Sequence, residues 1–88
     1  MSSLVYVAPI GGRTQVRFTL PVKGVFGRVL CDTDGTIGYP TEFGPETALT
    51  IVSKCEGWPD LSERDRRRLR LVRRWAERGD RLFANWVH

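Results

Sequence analysis

The sequence predicts a single α+β domain: a small antiparallel sheet of three or four strands in the N-terminal half, packed by one short helix and one long arginine-rich helix. Three observations carry this. Residues 14–20 alternate apolar and polar with the period of a half-buried strand, whereas residues 62–78 repeat with the period of a helix. A chain of 88 residues is long enough for one domain and no more. The expected division is a β-meander over 1–43 and a helical half over 44–88.

Taken in order, Leu4-Val5-Tyr6-Val7-Ala8 is β-branched and aromatic and reads as a strand. Pro9-Ile10-Gly11-Gly12 follows, and glycine supplies the positive φ of a hairpin turn. From Thr14 to Leu20, Val16, Phe18 and Leu20 fall on one face and Gln15, Arg17 and Thr19 on the other, until Pro21 ends the strand. Val25 to Cys31 reads as a third strand with bends at Gly24 and Gly27. Asp32-Thr33-Asp34-Gly35 is a turn, and Thr36 to Tyr39 a short fourth strand closed by Pro40.

Gly44-Pro45-Glu46 changes the pattern, because proline suits the first turn of a helix and an acid suits its positive end. Ala48, Leu49, Ile51, Val52 and Cys55 then recur at helical spacing up to Gly57. Thr47, Thr50, Ile51 and Val52 are β-branched, so a strand remains the alternative over 45–56. The long helix is better marked. Ser62 is a good N-cap, Asp65 stands three residues on, and Gly79 marks the end. At 100° per residue Leu69, Val72, Trp75 and Ala76 form one stripe that should pack on the sheet. Asp80 is placed to cap a last short turn carrying Leu82, Phe83, Trp86 and Val87, which should dock on the core or on a partner.

Composition excludes several function classes. No apolar run is long enough for a signal-peptide core or a membrane span, so the chain is expected in the cytoplasm. Cys31 and Cys55 lie among apolar neighbours and are expected as buried free thiols. A zinc site needs about four ligands and the only histidine is His88, so no metal or cofactor is expected.

Val29-Leu30-Cys31-Asp32-Thr33-Asp34-Gly35-Thr36-Ile37 resembles the first motif of the haloacid dehalogenase-type phosphatases, an apolar strand followed by D-x-D-G-T. The resemblance implies Asp32 as nucleophile and Asp34 as general acid–base, but it covers nine residues. The family's parallel sheet does not fit in this length, and no later acidic pair is present to hold magnesium. The segment is read as a hairpin turn. A calcium loop would need a glutamate where Phe43 stands. No catalytic residue is assigned, and the chain is expected not to be an enzyme.

The net charge of +4 is unevenly placed. Residues 1–59 carry five cations and five acids, whereas residues 60–88 carry nine arginines and five acids. On the long helix Arg67, Arg70, Arg74 and Arg78 form a band opposite the apolar stripe, flanked by Arg66 and Arg73. The band is basic over about 20 Å. Two i,i+4 pairs, Glu63 with Arg67 and Arg73 with Glu77, would neutralise part of it. These six arginines, with Trp58 and Trp86 beside them, are the candidate partner-binding residues, since arginine and tryptophan dominate protein interfaces. Trp75 is expected in the core.

The reading is a non-enzymatic binding protein that regulates or inhibits a larger protein or protein–nucleic acid complex by docking on its acidic surface. Small cofactor-free chains of this style occur among phage and mobile-element accessory proteins, anti-defence inhibitors included, an analogy of size alone. The alternative is direct nucleic-acid binding through phosphates. A homodimer through the apolar tail is compatible with either.

Overall fold

In the computed structural model, which describes residues 4–30 and 41–87, the elements run β1 (Leu4–Pro9), β2 (Val16–Phe18), α1 (Val22–Leu30), β3 (Thr41–Phe43), α2 (Pro45–Glu56), α3 (Glu63–Glu77) and β4 (Leu82–Val87). The class is α+β, an antiparallel sheet packed by helices. The expected turn at 32–35 and the strand at 36–39 lie outside the described residues.

The hairpin β1–β2 forms as the alternation requires, with Val5 opposite Phe18 and Val7 opposite Val16. Gly11 takes the positive φ of the turn, 81°, and the Gly12 N–H closes it by donating to the Pro9 carbonyl at 3.0 Å. Strand order is β2-β1-β4-β3. The C-terminal strand therefore sits inside the sheet, paired along its length with β1 from Leu4↔Val87 to Pro9↔Leu82. On its other side, Thr41 to Phe43 pair with Ala84 to Leu82.

That strand replaces the short helical turn expected after Asp80. Leu82, Phe83, Trp86 and Val87 fit a helical spacing, but the same six residues also alternate. Leu82, Ala84 and Trp86 are buried, while Phe83 and Asn85 are half-buried and Val87 is exposed. An unpaired edge on β1 would leave a row of N–H and C=O groups unsatisfied, and strand pairing resolves this where a helical turn could not.

The second correction concerns 25–31. Its described part, 25–30, is helical, because α1 spans Val22–Leu30, and Cys31 lies outside the described residues. Val22, Val25 and Phe26 are buried and Val29 packs against the core, a one-sided i, i+3, i+4, i+7 pattern. Its three valines and two glycines disfavour a helix by propensity, but burial of that stripe outweighs them. Phe26 stacks on Phe18 at 5.6 Å between ring centroids and meets Phe43 edge-on at 6.1 Å. One side chain thus ties α1 to both edge strands.

The other two helices follow the sequence. Residues 45–56 are helix rather than strand, with Pro45 in the first turn and Ala48, Ile51, Val52 and Cys55 buried. In α3 the Ser62 hydroxyl accepts the Asp65 N–H at 3.1 Å, a regular N-cap. At the other end the Gly79 N–H donates to the Ala76 carbonyl and the Asp80 N–H to the Trp75 carbonyl, with Gly79 at φ 84°. This is a Schellman stop, and it turns the chain back into β4. All three helices bury residues into one core with the inner face of the sheet, formed by Val5, Val7, Val16, Phe18, Phe43, Leu82, Ala84 and Trp86.

Gly24 offers a test of the helical assignment. It is exposed in the first turn of α1, and a Cβ there would stand 3.4 Å from the tip of the Leu20 side chain. Gly24→Ala should stabilise the protein by about 0.5–1 kcal/mol, raising Tm by a few degrees. A lowered Tm in thermal denaturation would contradict an α-helix at 22–30.

Candidate functional site

Helix α3 rests on the core through Leu69, Val72, Trp75 and Ala76. Apolar burial on this side fixes the rotation of the helix and turns the opposite side to solvent. Arg67, Arg70, Arg74 and Arg78 are exposed there, as the spacing predicts, and Arg66 and Arg73 are half-buried at the flank.

The ion pairs differ from those expected. Neither Glu63–Arg67 nor Arg73–Glu77 forms an ion pair among the described residues. Arg73 reaches across to Glu56 at the end of α2, and Arg78 holds Asp80 at 2.7 Å beyond the helix stop. Arg68 is also committed to the fold, donating to the Arg17 carbonyl of edge strand β2 at 2.8 Å. Arg64, Arg66, Arg67, Arg70 and Arg74 are left with no ion pair among the described residues. The unpaired centre of the band is Arg67, Arg70 and Arg74, one turn apart along the exposed face.

The two tryptophans assigned to a partner surface part company. Trp58, between α2 and α3, is 40% exposed. Trp86 is 4% exposed and belongs to the core, so its assignment to a binding surface is corrected. The pairing of β4 with β1 aims it inward beside Val5. Its indole N–H is buried with no hydrogen-bond partner among the described residues, which costs about 1–3 kcal/mol against the gain from its ring.

The structure adds a surface that sequence reasoning missed. Leu20, Pro21, Gly24, Val25, Arg28 and Val29 face Thr50, Lys54 and Trp58 across an open groove of about 810 Å³ between α1 and α2. Its apolar walls include Leu20, 72% exposed. With 22–30 read as a helix, Val25 and Val29 at i,i+4 would have marked one wall; read as a strand, they could not.

No group of three or more His, Cys, Asp or Glu able to hold a metal gathers among the described residues, and Asp32 and Asp34 lie outside them. No helix among them is long and apolar enough to cross a membrane. Cys55 is fully buried, and its thiol is pushed up to about 12 by desolvation first, then by the negative charges of Asp65 and Glu56. No family model, curated protein sequence or solved structure matches this chain.

A thiol held protonated is a poor nucleophile. In a Cys31→Ser background, Cys55 should be inert to a thiol reagent at pH 8 in native buffer and react fully in denaturant. Because the folded thiol titrates above its ordinary value of 9.0, it favours the folded state below pH 9, and that contribution is lost between pH 9 and about 12. Urea midpoints measured across that window should fall with rising pH, and less so for Cys55→Ala.

Proposed function

We propose that this is a non-enzymatic binding protein that regulates or blocks a larger protein, or a protein–nucleic acid complex, by docking α3 on an acidic surface. The observation that carries the reading is the exposed, unpaired run Arg67, Arg70 and Arg74 on a helix held to the core by its opposite face. A guanidinium presents a planar fork that pairs with two carboxylate oxygens at once. Three such forks at one-turn intervals stand on a backbone already ordered, so binding costs side-chain rotamer freedom but no backbone ordering.

A protein surface suits the band better than a nucleic-acid backbone. Glu63 and Glu77 are exposed at the two ends of the same helix. A phosphate track running along it would meet both carboxylates, whereas a protein can offset them with its own cations. Tryptophan exposed near the start of the helix, at Trp58, adds the aromatic contact common at protein interfaces.

The test is affinity capture from lysate, with and without nuclease, comparing wild type with an R67E/R70E/R74E variant whose circular dichroism is unchanged. A protein retained after nuclease treatment and lost with the variant is the expected result. Capture of nucleic acid alone would overturn the reading. In that case duplex affinity should fall with salt at a log–log slope of about −3.6 for four phosphates.

A further inference from the structure

We infer that the groove between α1 and α2 is a second docking site, built to take the apolar face of an acidic amphipathic helix from a partner protein. The inference rests on the reading of an acidic protein partner, but it concerns a different surface and can fail separately from the α3 site.

Three features point to this occupant. The groove walls are mainly apolar, from Leu20, Pro21, Val25, Val29 and Trp58. Apolar side chains gathered in one exposed patch mark interaction sites, and two of the four large ones exposed among the described residues, Leu20 and Trp58, line this groove. The charges are all of one sign. Among the described residues, Arg28 and Lys54 are the charged ones lining it, neither has an ion pair, and no carboxylate lines it. An occupant must therefore carry an apolar stripe with carboxylates beside it.

Length selects a helix. The nine residues of α1 span about 13 Å, matching side chains at i, i+4 and i+7 of an incoming helix. Arg28 in the last turn of α1 and Lys54 in the last turn of α2 both line the groove and offer cations to acids flanking such a stripe. Trp58 is the anchor, a large rigid ring already partly desolvated, so little conformational freedom is lost when it is covered.

Trp58 also supplies the readout. Trp75 and Trp86 are each 4% exposed, so iodide quenches mainly the fluorescence of Trp58. The probe is a synthetic peptide of about 18 residues with leucines at i, i+4 and i+7, glutamates flanking that stripe and alanine and glutamine elsewhere, its helicity checked by circular dichroism. A peptide of the same composition in scrambled order is the control. The expected result is saturable protection of Trp58 by the patterned peptide and not by the scrambled one. L20E should weaken binding about tenfold or more, the loss of one buried leucine contact. Leu20 is exposed, so this variant should fold normally, and its circular dichroism checks that.

R67E/R70E/R74E should still bind the patterned peptide. If that variant loses the peptide while L20E keeps it, the peptide sits on α3 and the groove proposal falls, with the α3 reading intact. Equal binding of the scrambled peptide would reduce the effect to charge and also overturn the proposal. Protection of Trp58 by sodium dodecanoate with none by the peptide would make the groove a site for small anionic amphiphiles, which contradicts it as well.

Discussion

The rest of the structure depends on the insertion of β4 between β1 and β3. Six residues at the C-terminal end of the chain pair with six near its start, in a register that carries Leu82, Ala84 and Trp86 inward beside Pro9, Val7 and Val5. A slip of one residue would turn Leu82 and Trp86 to solvent and Phe83 and Asn85 to the core. Burial therefore specifies the register strongly. The pairing also closes the longest loop in the protein, so its entropy cost is met only when the helices between are packed. Helix α3 is consequently fixed at both ends, by the Ser62 cap and by the Schellman stop that leads into β4.

The charge distribution follows from that arrangement. An 88-residue domain buries a modest fraction of its surface, and nearly every buried side chain here is apolar. Asp65 is the one buried charged residue among those described, and it lies in the positively polarised first turn of α3. The arginines of α3 have no place in the core and stand outward. Arg73 pairs with Glu56 on a neighbouring helix, and those at the centre of the band have no ion pair among the described residues. The same economy of core material leaves the cleft between α1 and α2 open, since no described element covers Leu20 and Trp58.

Much of this was legible in the sequence wherever one signal dominated. The alternation in 14–20 and the β-branched run at 4–8 gave β2 and β1. The Ser62 cap, the stripe Leu69, Val72 and Ala76, and Gly79 gave α3 and the direction of its arginines. Two elements were lost where signals competed. In α1 the valines and glycines argued for a strand against a helical stripe of Val22, Val25, Phe26 and Val29, and the stripe prevailed through Phe26 between Phe18 and Phe43. In 82–87 the apolar residues satisfied both periods, and only the unpaired edge of β1 decides between them. The groove was illegible for a further reason, because it exists only in the juxtaposition of two helices distant in sequence. Trp86 was likewise ambiguous, since a tryptophan suits a core and an interface equally until the register is known.

The most direct test of the central claim is an arginine-selective modification footprint of the protein free and in complex with its captured partner, read by mass spectrometry. The account predicts that Arg67, Arg70 and Arg74 lose reactivity in the complex while Arg13, exposed on the β1–β2 turn, keeps it. Undiminished reactivity at the three α3 arginines, with protection at Arg13 instead, would contradict docking through this helix.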